Sequence, residues 1–256
     1  MESHIHQIRQ TALLLSQSKR VVALTGAGIS VESGIPPFRG KGGVWEKFDP
    51  IAYGHIDAFL NNPDVIWRDF LSKMVSQVAA AEPNEGHTGL ARLEELGILH
   101  TVITQNLDGL HQQAGNTDVI EFHGTFASFF CMDCLRKTTI EILDLSISPP
   151  RCDCGGIFRP DCVFFGEAIP SLALQRSHEI AATCDIMLVV GTSAEVQPAA
   201  YIPAVAKSSG AKIIEINPES TPLTGSVGDI FLKGKAGHIM KRLVDEIIAL
   251  NRSGNL

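Results

Sequence analysis

VVALTGAGISVESGIPPFRG, residues Val21–Gly40, opens as an apolar, β-branched run and breaks at Gly26-Ala27-Gly28. An apolar run without polar alternation is what a strand covered on both faces looks like. Glycines directly after such a strand let the backbone approach a pyrophosphate and aim N–H groups at it. The dinucleotide fingerprint G-x-G-x-x-G would place its third glycine at position 31, which is Val31; the next glycine is Gly34. Pro36 and Pro37 also prevent a helix from continuing through this segment. The turn is therefore a dinucleotide loop of a different kind, or merely the end of a strand.

Outward from this stretch the same apolar strand pattern returns at 101–104, 119–122, 186–190 and 212–216. Helix-patterned segments lie at 5–17, 87–96, 171–183, 198–209 and 236–250. Strands alternating with helices predict an α/β fold built on a doubly wound, Rossmann-like parallel sheet. Two stretches break the alternation, one rich in aromatic residues and one holding four clustered cysteines. Neither adds an obvious strand to the parallel sheet. The composition predicts a large dinucleotide-binding domain from 1–33, 83–124 and 161–256. A small domain, part helical and part zinc ribbon, is expected from 34–82 and 125–160, with a cleft between the two.

Bulk properties narrow the function. A chain of 256 residues buries enough apolar surface to need no disulfides. Lys+Arg 21 against Asp+Glu 28 gives a net charge of −7. That disfavours a nucleic-acid-coating role and suits a cationic partner such as a lysine-rich peptide. The N-terminus lacks a secretory pattern and no apolar run is long enough to span a bilayer, so no membrane association and a cytoplasmic location are expected.

The remaining motifs sit at strand ends. TQNLDGLHQQAG (104–115) places Gln105, Asn106 and Asp108 where ligands bind in open α/β sheets, although an Asx turn capping the next helix explains them equally well. EFHG (121–124) ends a strand on His123, whose pKa near neutrality suits general acid–base work; a lone structural histidine is the alternative. His4, His6 and His178 read as surface residues, and His87 as a helix-start residue without chemistry. CMDC and CDC place Cys131, Cys134, Cys152 and Cys154 in two knuckles, seventeen residues apart. Four thiolates at about 2.3 Å satisfy a tetrahedral Zn²⁺ and leave no open position, which makes the metal structural; four free thiols are the alternative.

The order TGAGISVESGIPPFRG, TQNLDGLH, EFHG, cysteine quartet, RPDCVFFGE, GTS, INPE and GKAG closely resembles the sirtuin family of NAD-dependent protein deacylases, over essentially the full length. The resemblance implies NAD as co-substrate, one structural Zn²⁺, and acetyl-lysine proteins or peptides as partners. Gly26, Ala27, Gly28, Ser30 and Ser33 would line the pyrophosphate and ribose, with Phe38 and Arg39 in a mobile cofactor loop. Gln105, Asn106 and Asp108 would hold the nicotinamide ribose. Gly191, Thr192, Ser193, Asn217, Glu219 and Ala236 would take the phosphates and adenosine. Val163, Phe164, Phe165, Gly166 and Glu167 look like the strand that pairs with the substrate peptide.

The implied reaction has the acyl oxygen of an acylated lysine attack C1′ of the nicotinamide ribose. His123 then serves as general base, with Asn106 as the second catalytic residue, giving lysine, nicotinamide and O-acyl-ADP-ribose. ADP-ribosyl transfer to protein is the rival enzyme class. Relatives that favour acidic acyl groups carry Tyr and Arg where this chain has Phe70 and Lys73, which implies uncharged acyl groups here. Pro37 departs from the family, in which most members have Asp; proline brings neither a side-chain acceptor nor an N–H to the nicotinamide pocket.

Overall fold

The computed structural model describes residues 2–252, with side chains from Ile5 onward, so His4 lies outside the described side chains. The strands among the described residues are β1 (Val21–Thr25), β2 (Leu99–Thr104), β3 (Val119–Glu121), β4 (Gly124–Cys131), β5 (Lys137–Thr139), β6 (Phe158–Cys162), β7 (Ile186–Val190), β8 (Lys212–Asn217) and β9 (Ile230–Lys233). Six of them form a parallel sheet in the order β3-β2-β1-β7-β8-β9. The order reverses at β1, so a crevice opens between the carboxyl ends of β1 and β7, where doubly wound folds bind ligands.

Residue alternation along the strands explains the two covered faces. Val21 and Ala23 point into one core with the helices Glu2–Gln17, Glu85–Glu95 and Ala236–Arg252; Val22 and Leu24 point into another with Ser171–Ala181 and Ile202–Ser208. Register then aligns the functional ends. Thr25 lies beside both Thr104 and Val190, Thr104 beside Glu121, and Val190 beside Ile216. The motifs that follow β1, β2, β3, β7 and β8 therefore start on the same rim of the sheet.

A third core gathers residues from both irregular stretches, including Phe59, Trp67, Leu71, Phe129 and Phe158. The antiparallel sheet β5-β4-β6 forms one side and the helical segments between Pro50 and Ala79 the other. The buried Trp67 indole joins them, donating to the Phe158 carbonyl at 2.9 Å. A π-helical turn, Trp67–Leu71, interrupts the helical stretch.

Three local expectations change. A sixth parallel strand, β9, escaped the sequence because it has four residues at a sheet edge and only Leu232 is buried. The helix expected over 198–209 is split into a 3₁₀ turn, Ala199–Tyr201, and a helix, Ile202–Ser208. The strand expected over 163–167 ends at Cys162: the Glu167 N–H bonds the Phe164 carbonyl at 3.1 Å, and Gly166 at φ 89° closes a tight turn.

Candidate active site

The glycines of the opening stretch are needed for packing between strand ends. The Gly26 N–H donates to the Val190 carbonyl at 3.1 Å, and the Gly28 N–H donates to Gly191 at 2.7 Å. A Cβ on Gly28 would stand 2.6 Å from the Gly191 carbonyl oxygen, and Gly191 itself adopts φ 62°. The amides of Gly26 and Gly28, expected to face a phosphate, are thus spent holding β1 against β7. The close approach still leaves Gly26, Ala27, Gly28, Gly191, Thr192 and Ser193 on the wall of a cleft of about 1010 Å³.

The same cleft takes in most of the other predicted residues: Phe38 and Arg39 from the proline-rich loop, Gln105 and Asn106 just after β2, His123 just after β3, and Asn217, Glu219 and Ala236. Phe70, Val163, Phe164, Phe165, Gly166 and Glu167 line the side nearer the third core. Arg39 reaches across the mouth to Glu195, Nε to Oε2, at 3.8 Å. Ser30, Ser33 and Asp108 are not on this wall. Ser33 accepts from the Asn84 amide at 2.8 Å, and the buried Ser30 donates to Asp108 Oδ2 at 2.7 Å behind Asn106.

Asn106 is locked from two directions. Its side-chain amide donates to the Gly26 carbonyl at 3.2 Å and to Ser30 Oγ at 3.1 Å. Its backbone N–H donates to Thr104 Oγ1 at 3.1 Å, and Thr104 is bonded in turn to Thr25 at 2.9 Å. Two histidines complete the network: His87, which does stand at a helix start, in the capping box of Glu85–Glu95, as the sequence suggested, and His111, which the sequence did not single out. His87 accepts the Asn84 N–H on Nδ1 at 3.3 Å, which leaves Nε2–H to face Ser30 Oγ at 3.3 Å. His111 Nε2 meets Thr25 Oγ1 at 2.9 Å. Burial, with Asp108 opposing it, drives His87 down to about 4; burial, reinforced by His87, drives His111 to about 3. Both rings are therefore neutral hydrogen-bonding elements at physiological pH. Spacing gave no signal for them, since their partners are 57 and 86 residues away.

His123 is disposed for proton transfer. Its Nδ1 lies 3.1 Å from the Gln105 carbonyl, which can only accept, so Nδ1 carries the hydrogen and Nε2 keeps its lone pair. Burial lowers its pKa, with the Gln105 bond opposing, so the ring is neutral near pH 7. Gly124 follows because β4 crosses β6 here: a Cβ would lie 2.2 Å from the Asp161 carbonyl oxygen. The His123 carbonyl accepts the Val163 N–H at 2.9 Å, linking this residue to the 163–167 segment.

That segment is immobilised. Phe165 pairs through both backbone groups with Gly54 and Ile56, each at 2.9 Å. Arg159, absent from the sequence-based assignments, forks onto Glu167 with two bonds of 2.8 Å and donates to the Cys162 carbonyl at 2.8 Å. Its guanidinium lies 4.9 Å from the Phe164 ring centroid, while Glu167 accepts the Phe164 N–H at 2.9 Å.

The cysteine quartet fits a metal. All four sulfurs lie within 4.8 Å of one another, with Cys131–Cys154 at 3.5 Å and Cys134–Cys152 at 3.7 Å. A tetrahedron with bonds of about 2.3 Å has edges of roughly 3.8 Å. N–H groups of Cys134 and Asp133 lie against the Cys131 sulfur and lower its pKa, whereas at Cys154 the Gly156 N–H is outweighed by the neighbouring sulfurs, which raise it, so the four thiols share their protons and metal binding has to displace them. Gly156 makes the second knuckle possible, because a Cβ there would sit 2.6 Å from the Cys131 sulfur.

Comparison with known proteins agrees with this geometry: the model of the Sir2 family matches residues 26–198. The chain belongs to the Sir2 family. A Sir2 relative from Pyrobaculum aerophilum, NAD-dependent protein deacylase 2, is 44% identical over 91% of this chain and 93% of its own. A solved mutant Sir2 homologue in complex with ADP-ribose superposes with a TM-score of 0.90 at 40% identity, covering 95% of this chain and 97% of that one. A Sir2–p53 peptide–NAD⁺ structure gives 0.84 at 35% identity, covering 96% and 98%. No helix among the described residues is long and apolar enough to cross a membrane.

Proposed function

We propose that this chain is an NAD-dependent protein-lysine deacetylase that yields free lysine, nicotinamide and O-acetyl-ADP-ribose. The observation that carries this reading is His123: a neutral imidazole with its Nδ1–H on Gln105 and its basic nitrogen available, in one cleft with Asn106. His123 would accept a proton from a ribose hydroxyl as general base, while Asn106, fixed by Gly26 and Ser30, orients the ribose. Ser30 and Asp108 act behind Asn106. Gly26–Gly28, Arg39 and Gly191–Ser193 would take the pyrophosphate, and Asn217, Glu219 and Ala236 the adenosine. The fixed turn 163–167 would present the acyl-lysine peptide, with Phe70 beside the acyl group.

Zn²⁺ held by Cys131, Cys134, Cys152 and Cys154 would cross-link the small sheet and take no part in chemistry, having no open position. The third core supports treating 34–82 and 125–160 as one small domain and 1–33, 83–124 and 161–256 as the large one. A cytoplasmic setting, without nucleic-acid binding, completes the proposal. The test is NAD-dependent deacylation of an acyl-lysine peptide panel with product masses measured. O-acetyl-ADP-ribose supports the reading, while ADP-ribose label retained on protein would favour ADP-ribosyl transfer. Full activity in folded His123→Ala would overturn the assigned base.

A further inference from the structure

Strand β8 carries a buried carboxyl group to which none of the roles above is assigned. Glu215 is 1% exposed, and it accepts the hydroxyl of Thr221 on Oε1 at 2.5 Å and that of Thr224 on Oε2 at 2.6 Å. Both hydroxyls already serve as acceptors: Thr221 Oγ1 takes the Leu223 N–H at 3.1 Å, and Thr224 Oγ1 takes the Thr221 N–H at 3.0 Å. A hydroxyl has one hydrogen, so each directs it to Glu215. The position thus calls for a group with two acceptor oxygens, and an amide would turn a donor toward one of the threonines.

The segment tied down in this way forms part of the cleft. Ser220, Thr221 and Pro222 line it beside Asn217 and Glu219, whereas Glu215 and Thr224 do not reach its wall. We infer that Glu215 is a positioning residue for the adenosine half of NAD: through two threonine hydroxyls it holds the 218–224 loop against the cofactor without touching it. The inference rests on the NAD reading of this cleft.

Four proteins test it: the parent, Glu215→Gln, Thr224→Ala and the conservative Thr224→Ser. The measurements are ADP-ribose affinity by calorimetry, KM for NAD, KM for an acetylated peptide, and kcat. Glu215→Gln should weaken ADP-ribose binding and raise the KM for NAD about tenfold, the scale of a lost hydrogen bond to a charged group. Thr224→Ala should give a change of roughly threefold and Thr224→Ser should restore the parent values, with kcat and peptide KM unchanged throughout. Because Thr224 lies off the cleft wall, its effect has to pass through the loop.

Unchanged NAD KM and ADP-ribose affinity in Thr224→Ala would overturn the inference, as would an equal loss in every parameter, which marks general destabilisation. If Glu215→Gln fails to fold, the Thr224 pair decides. A parent protein that does not bind ADP-ribose would instead overturn the NAD reading itself.

Discussion

Arg159→Met separates stability from substrate binding in one variant. Arg159 has a side chain 9% exposed, donates two bonds to Glu167, one to the Cys162 carbonyl and a longer one of 3.4 Å to the Pro160 carbonyl, and stacks over Phe164. Methionine keeps much of the apolar stem and removes all of these donors. Breaking a fully buried pair costs about 3–5 kcal/mol. Glu167 is 26% exposed, so water can partly rehydrate the stranded carboxylate and about 2–3 kcal/mol is expected. For a chain of this size that is a fall in Tm of about 4–12 °C. The pH dependence follows from Glu167: desolvation raises its pKa, but the bonds from Arg159 and the Phe164 N–H win and hold it below its ordinary value. A depressed carboxyl contributes stability above its unfolded pKa and loses it as pH falls through the folded one. The gap between parent and variant should therefore shrink below about pH 4. With the Phe164–Glu167 turn loosened, the KM for acetylated peptide should rise about tenfold while that for NAD stays put. Scanning calorimetry at pH 7 and pH 3.5, with initial rates against each substrate, reads both effects. A Tm within about 1 °C of the parent, or an equal rise in both KM values, would refute the reasoning.

Four other outcomes are expected. The pH–rate profile of kcat/KM should lose activity on the acid side with an inflection below 6.5, since burial lowers His123 and a base must be unprotonated; an inflection above 6.5 would point to another group. Acetyl-lysine peptides should outrun succinyl-lysine peptides by about a hundredfold, because Phe70 stacks on Trp45 at 5.6 Å and Lys73 is not on the cleft wall; parallel assays would reveal the reverse preference. Metal analysis should find one Zn²⁺ per chain, lost together with thermal stability in Cys154→Ala; a metal-free, equally stable parent would contradict the site. Pro37 lines the cleft and its carbonyl anchors the loop by accepting the Val44 N–H at 2.9 Å, so Pro37→Asp adds an acceptor without removing that bond and should tighten nicotinamide inhibition; an unchanged inhibition constant counts against it.

What was readable in the sequence was whatever is encoded within a few residues. The buried strands announce themselves by unbroken apolar runs, and parallel pairing then carries Thr25, Thr104, Glu121, Val190 and Ile216 to one rim. The cysteine knuckles are local too. The groups that hold the site in place are not. His111 reaches Thr25 across 86 residues, His87 reaches Ser30 across 57, and the Trp67 indole reaches Phe158 across 91. A buried histidine has the same sequence signature whether it only packs or, like His87, bonds the serine that holds Asn106, so only the folded chain separates the two cases.

The missing third glycine follows from the same division between local and distant. In the ordinary fingerprint that glycine lets a helix pack tightly on the strand it follows. Here the segment after Gly26 is a 3₁₀ helix, Ala27–Ser33, ended by Gly34 at φ 87°. It is held from outside, by the Asn84 amide on the Ile29 carbonyl at 2.8 Å and by Glu32 accepting the Gly237 N–H at 2.9 Å. Val31 faces the cleft at 45% exposure, so nothing at that position requires glycine. The steric demand has moved to Gly191, where a Cβ would lie 2.3 Å from the Ile29 amide nitrogen. The third close-approach glycine is thus Gly191, the residue directly after β7 and far downstream of Gly28 in the chain. A motif search confined to one loop sees a broken fingerprint because its last element is contributed by the turn after another strand.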